Sequence, residues 1–245
     1  MSAPQAIVIA GPGTNRDGDI AAALQLAGAA PEIVLSGQLV ADPTLLLDAQ
    51  LLVVAGGFSY GDALGAGRML ALELSLGRLG DALRTFVAAG KPVLGICNGF
   101  QVLTRAGLLP GALGHNAGGS FQCRWVTLQP ASTRSVWTYG MTSPIHCPIA
   151  HGEGRYVTAD LAALQANDQV ALRYADGTNP NGSVDDIAGV CDATGVVLGL
   201  MPHPENAVLT RQMPHAPAGH LATHPSPPSA ALQLLINGVG YAKDR

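Results

Sequence analysis

The sequence predicts an α/β protein built on an open, doubly wound, mostly parallel sheet flanked by helices, with antiparallel strands added in the second half of the chain. Three observations lead there. Strand-like and helix-like runs alternate through the N-terminal half, an order that favours parallel pairing. The strand-like runs, such as AIVIA and LLVVAGG, are apolar throughout rather than alternating, as strands covered on both faces are. Each switch is marked by Gly, Pro, Asn or Asp. With 245 residues, 48% of them hydrophobic and 12% charged, the chain carries enough apolar material for one domain spanning residues 1–245.

In chain order the expected elements are the strand AIVIA, the helix IAAALQLAGAA, the strands EIVL and LLVVAGG, a long helical region from Asp62 to Ala89, and the strand PVLGI. After Pro110 the segments shorten: FQCRWVTLQ, RSVWTYG and QVALRYA read as added antiparallel strands. GVVLGLM, residues 195 to 201, returns to the buried-strand pattern, and a last helix is expected near Ala230 to Leu235. Between them, residues 210 to 228 are rich in Pro, His and Ala and read as a surface loop. Open sheets of this kind bind ligands at the carboxyl ends of their strands. GPGTNRDGD, GGFSYGD and CNG all follow strands, so the chemistry is expected there.

Composition excludes several partners. A net charge of −4 without long charged runs, and only two lysines, gives neither a basic stripe for nucleic acid nor a polybasic membrane anchor. The apolar runs fall far short of the roughly 20 residues of a membrane span. Cys97, Cys123, Cys147 and Cys191 lack CxxC spacing, and the N-terminus does not resemble a signal peptide, so they are expected to be thiols of a cytoplasmic protein. No metal is expected. His215, His220 and His224 have no accompanying cysteine or carboxylate set, and a solvated loop accounts for them better than a metal site.

VLGICNGFQVL, residues 93 to 103, runs from a buried strand through a cysteine into an apolar helix. Gly95 and Gly99 flank Cys97 at the spacing of the G-x-S-x-G elbow, with sulfur in place of the hydroxyl. A nucleophile at so tight a turn needs small neighbours, and the N–H groups and partial positive charge of a helix N-terminus favour a thiolate. A cysteine beside an apolar strand is commonly just a small buried residue; the flanking glycines favour the nucleophile, and the other three cysteines lack them. A cysteine nucleophile requires a base, and the base an orienting group. His203 and Glu205 follow GVVLGLM, and their i, i+2 spacing lets the carboxylate hold one imidazole nitrogen while the other faces the sulfur. Such a pair alone is often a solvated loop; beside the elbow it is the leading candidate. Oxyanion donors are expected from the backbone of Asn98 and from Gly56-Gly57, though the glycine pair reads equally well as an ordinary tight turn.

GICNGFQ with a later HxE resembles the class I (triad) glutamine amidotransferases, a flavodoxin-like fold. The forms GGFSYGD, GICNGFQVL, AHGEGRY, NPNGS and GLMPHPE are similar to the branch that serves phosphoribosylformylglycinamidine synthase as its glutaminase. The resemblance runs from about Ile7 to Glu205. It implies a nucleophile at Cys97, a base at His203 and an orienting carboxylate at Glu205, oxyanion donors at Gly57 and Asn98, and glutamine contacts from Gln101 and from the stretch containing His151. It further implies glutamine as substrate and a synthetase subunit as partner, with a small third subunit in some complexes. The chain itself would need no cofactor, with ATP and Mg on the synthetase. GTNRD in place of a GSNCD-like segment, and the His-rich loop, depart from the pattern without touching the triad. A stand-alone glutaminase or other cysteine hydrolase of the same fold, and a non-catalytic binding module, are the alternatives.

Overall fold

In the computed structural model, which describes residues 2–175, 177–214 and 229–243, the apolar runs become strands and the intervening runs helices. The first half comprises β1 (Gln5–Ala10), α1 (Asp17–Leu26), β2 (Ala30–Leu35), α2 (Ser36–Ala41), α3 (Thr44–Asp48), β3 (Leu51–Val54), α4 (Arg68–Ser75), α5 (Gly77–Ala88), β4 (Val93–Ile96) and α6 (Asn98–Arg105). The second half adds β5 (Ala112–Gly114), β6 (Gln122–Pro130), β7 (Ile145–His151), β8 (Arg155–Val157), α7 (Leu161–Ala166), β9 (Val170–Tyr174), β10 (Ile187–Cys191), β11 (Val197–Leu200) and α8 (Ala230–Ala242).

The main sheet among the described residues runs β2-β1-β3-β4-β11-β10-β9-β6-β7. The pairs from β2 to β11 are parallel, and those from β11 to β7 are antiparallel. The sheet is therefore mixed, with the expected parallel half and added antiparallel strands. β3, β4 and β11 are apolar and buried at every position because helices cover both faces: α6 packs on one side of β3 and α8 on the other. α1 joins the α8 layer, while α2 to α6 pack among themselves. β5 and β8 form a separate two-stranded pair.

The register decides where function can sit. Val54 of β3 pairs with Gly95 of β4, and Leu200 of β11 with Ile96, so three neighbouring parallel strands end at nearly the same level. Their next residues, Gly56-Gly57, Cys97 and His203 to Glu205, therefore share one rim.

Three expectations are corrected. The helical region from Asp62 to Ala89 is a short 3-10 turn, a loop, and two helices, α4 and α5. The break falls where Leu76 is extended (φ −107°, ψ 156°) and Gly77 takes φ +56°, and Gly80 presses on the Ser75 carbonyl, leaving no room for a side chain at the corner. RSVWTYG is a series of turns, not a strand. Its apolar content serves as a plug: Trp137 is fully buried, donates its indole N–H to the Val196 carbonyl at 2.9 Å, and lies against Gly238 of α8, where a side chain would collide with the ring. α8 also extends seven residues beyond the expected Leu235, to Ala242. His215, His220 and His224, and most of the Pro- and His-rich loop, lie outside the described residues.

Candidate active site

Cys97 occupies the step from β4 into α6 with φ 51° and ψ −105°, a conformation that costs on the order of 1–3 kcal/mol for a non-glycine residue and that surrounding structure must hold. Several bonds and contacts hold it. The Cys97 N–H donates to the Leu200 carbonyl at 2.8 Å, and its own carbonyl accepts from the Gln101 N–H at 3.1 Å. Gly99 explains the flanking glycines: a Cβ there would fall on the Val54 carbonyl of β3, while one at Gly95 would lie 2.7 Å from the Gly99 oxygen. The helix can enter the corner only because both side chains are missing.

The other rim residues converge on this thiol. His203 follows β11 and is anchored by its N–H to the Pro148 carbonyl at 2.8 Å. Its Nδ1 meets Glu205 Oε1 at 2.7 Å, which leaves Nε2 free of the carboxylate, and the Cys97 thiol is close enough to act on the charge of the ring. A side chain at Gly56 would press into the same ring, 2.8 Å from its Cε1, so the glycine makes room for the histidine. Cys97 is 5% exposed, His203 4% and Glu205 2%. Burial works against charge on His203, but Glu205 and Cys97 outweigh it and hold the imidazole well above its ordinary range. It can carry a proton at neutral pH.

Gly57 has φ +130° and forms a bridge with Thr14; any Cβ would lie 2.7 Å from the Asn15 nitrogen, so only glycine fits. Asn98 begins α6, and its N–H belongs to the first turn, where no carbonyl four residues back is available. Its buried side chain is pinned: Oδ1 accepts from Ser59 Oγ at 2.5 Å, and Nδ2 donates to Gln101 Oε1 at 3.0 Å and Asp62 Oδ1 at 3.3 Å. Gln101 donates from Nε2 to the Glu153 carbonyl at 2.6 Å, tying α6 to the turn after β7. Gln101 thus clamps the wall of the site in addition to lining it.

Beside them lies a cavity of about 280 Å³, lined by Gly57, Asp62, Cys97, Gln101, His151 and Glu153 among others. Cys97 is one of the lining residues, and its Sγ lies 3.7 Å from the Ala150 carbonyl. Asp62 and Glu153 give the cavity an acidic wall, and burial followed by the Glu153 charge raises the Asp62 carboxyl above its usual range. The remaining thiols are elsewhere: Cys147 and Cys191 are fully buried and Cys123 is exposed on β6. Burial, and then Glu205, pushes Cys147 far up; burial, and then Asp192, pushes Cys191 up to about 12. Among the described residues no three His, Cys, Asp or Glu side chains are placed to hold a metal, and no helix is long and apolar enough to cross a membrane.

Two residues of the site escaped sequence reasoning. Ser59 and Asn116 are buried hubs, in GGFSYGD and GHNAGG. Asn116 binds the His151 ring, the Gly154 N–H, and the Ser120 and His151 carbonyls. Small polar residues in glycine-rich loops after strands were the available signal.

Comparison with known proteins places the whole chain in a family. Residues 3–242 match the CobB/CobQ-like glutamine amidotransferase domain. A phosphoribosylformylglycinamidine synthase subunit PurQ from Treponema denticola is 47% identical over 85% of this chain and 90% of its own. A second, from Dehalococcoides mccartyi, is 38% identical over 99% of both chains. Among solved structures, a chain of PurLQS from Thermotoga maritima superposes with a TM-score of 0.78 at 34% identity, covering 98% of each chain. A chain with this elbow, this imidazole–carboxylate pair and this match along its whole length belongs to the CobB/CobQ-like glutamine amidotransferase domain family.

Proposed function

We propose that this chain is the glutaminase subunit of a phosphoribosylformylglycinamidine synthase, releasing ammonia from glutamine for an ATP-dependent synthetase subunit that converts formylglycinamide ribonucleotide to formylglycinamidine ribonucleotide. The observation that carries the chemistry is Cys97, held at a strained elbow that lines a cavity, next to a buried His203–Glu205 pair. Support for the particular branch comes from the full-length similarity to subunits of that name and to a chain of PurLQS.

Cys97 Sγ attacks the carboxamide carbon of glutamine, and the oxygen gains negative charge facing the N–H groups of Asn98 and Gly57. His203 hands its Nε2 proton to the departing nitrogen, the C–N bond breaks, and ammonia leaves a glutamyl thioester behind. Water then attacks the thioester as His203 takes a proton from it; the C–S bond breaks and glutamate is released. Glu205 holds the ring and stabilises its charge throughout, so every proton moves through one imidazole. Both half-reactions use side chains and water alone, and ATP and Mg are assigned to the synthetase, with which the chain acts in the cytoplasm. Mixing the chain with a candidate synthetase and measuring glutamine-dependent formylglycinamidine ribonucleotide tests the reading. Product should require both chains, and full-rate glutamine hydrolysis by this chain alone would favour a stand-alone glutaminase.

A further inference from the structure

The two N–H groups that face the developing oxyanion belong to different elements: Gly57 lies in the loop after β3, and Asn98 opens α6 after β4. β3 and β4 are neighbours, but the loop and the helix have both left the sheet before they reach the substrate, so pairing of the strands alone does not set the spacing of the donors. Two side-chain contacts join the loop to Asn98. Ser59, two residues after Gly57, lies with its Oγ 2.5 Å from Asn98 Oδ1, and Asp62 Oδ1 accepts from Asn98 Nδ2 at 3.3 Å.

Donors and acceptors in this contact are fixed by elimination. Asn98 Nδ2 gives one hydrogen to Gln101 Oε1 at 3.0 Å and the other to Asp62, so both are used and Oδ1 can only accept. The Ser59 hydroxyl is therefore the donor. Both residues are 2% exposed, and water does not stand in for either group. Ser59 is not free to turn away. Tyr60, the next residue, takes φ +57°; its N–H donates to the Pro12 carbonyl at 2.5 Å and its O–H to Glu73 Oε1. A left-handed tyrosine persists only where its surroundings hold it, and here the held conformation aims Ser59 at Asn98. Gly57, Phe58 and Asp62 line the cavity, whereas Ser59 is not among the lining residues. It acts on the reaction through what it holds.

We propose that Ser59 is a positioning residue of the oxyanion hole: by bonding Asn98 Oδ1 it sets the separation of the Gly57 and Asn98 N–H groups, and so strengthens binding of the tetrahedral intermediate rather than of glutamine. The inference rests on the glutaminase reading. A neutral carboxamide oxygen tolerates loosely placed donors better than an oxygen that carries a full negative charge, so the bond is felt where charge develops. Ser59 moves no proton and touches no substrate atom in this role.

The test uses the complex assembled with its synthetase and an aldehyde analogue of the substrate, glutamate γ-semialdehyde. Cys97 Sγ adds to the aldehyde carbon, the C=O π bond opens, and the oxygen comes to rest where the oxyanion forms, with the thiol hydrogen ending on that oxygen or on His203. In Ser59→Ala, kcat/KM for glutamine should fall about 5- to 150-fold, the range for one buried acceptor left unpaired, and the inhibition constant of the aldehyde should rise by the same factor. Glutamine binding to the Cys97→Ala complex should change by less than about threefold when Ser59→Ala is added. Because Ser59 works through the Asn98 side chain, Ser59→Ala should cost little in an Asn98→Ala background, so the two losses are far from additive. Ser59→Thr keeps the hydroxyl and should recover most of the rate; Ser59→Cys, a weaker donor, replaces Ser59→Ala if the alanine variant does not fold. Unchanged turnover in Ser59→Ala, a loss explained wholly by weaker glutamine binding, a fall in kcat/KM without a matching rise for the aldehyde, or additive losses in the double variant would each overturn the proposal. If the wild-type complex neither hydrolyses glutamine nor is inhibited by the aldehyde, the glutaminase reading fails instead.

Discussion

Removing the Glu205 carboxylate is the perturbation that most sharply separates the roles of the rim residues. The His203–Glu205 contact is 2.7 Å long, and both partners are almost wholly buried, so water does not screen it. A hydrogen bond to a charged group is worth about 1.5–3 kcal/mol net, which converts to a loss of about 10- to 150-fold in kcat/KM for glutamine in Glu205→Ala. His203→Ala removes proton transfer itself, worth roughly 10²- to 10⁴-fold, and should be the slower enzyme. The pH profile gives a second, independent sign. Burial lowers the His203 pKa, while Glu205 and Cys97 raise it and prevail. His203 must be protonated to expel ammonia, so activity is lost as pH rises through its folded value. Without Glu205 the balance moves toward burial, and the alkaline limb of kcat/KM should shift to lower pH. The assay is glutamate release by the assembled complex across pH for wild type and both variants. An alkaline limb that stays in place, or a Glu205→Ala enzyme slower than His203→Ala, would refute the assignment of base and orienting group.

Two further outcomes follow from the geometry. A glutamine-like chloroketone should modify Cys97 alone, since Cys147 and Cys191 are fully buried with thiols pushed up and Cys123 has no such base; mass mapping that finds Cys97 free and another cysteine labelled would count against the site. His151 is lowered from 6.5 to about 4 on folding, so the unfolded chain binds the extra proton in that window and stability should fall by about 3 kcal/mol as pH drops through it. His203 is raised, and its contribution is already complete below its unfolded value, so it does not mask the effect. Urea midpoints for His151→Gln between pH 4 and 6.5 should be flatter than those of wild type, and parallel curves would contradict it.

The parallel half of the sheet was legible because each of its strands is a short apolar run bounded by turn residues, a signal contained in the local sequence. The elbow was legible for a similar reason: Gly95, Cys97 and Gly99 are fixed by close contacts within a few residues of each other and by the strand beneath. His203 and Glu205 were legible as a pair because i, i+2 spacing is enough to join them. Other features depended on contacts no local pattern records. Leu76 and Gly77 break an otherwise continuous amphipathic run, and the corner shows only when α4 and α5 are packed. RSVWTYG has the aromatic and β-branched content of a strand, yet Trp137 is used to fill the gap beneath α8. β7 carries Pro148, which discourages a strand assignment; it is tolerated because β7 is the last strand of the sheet, so a missing N–H need not break a ladder. His151 Nδ1 meets Asn116, 35 residues away, and only the folded chain brings them together.

The central claim is a division of labour: this chain makes ammonia at Cys97 and takes no part in activating the phosphorylated acceptor. Comparing wild-type and Cys97→Ala complexes with each nitrogen source measures it most directly. Cys97→Ala should abolish synthesis of formylglycinamidine ribonucleotide from glutamine and leave synthesis from high external ammonium at the wild-type rate, because the two half-reactions share only the nitrogen. Loss of ammonium-dependent synthesis in a Cys97→Ala complex that still folds and assembles would contradict the account.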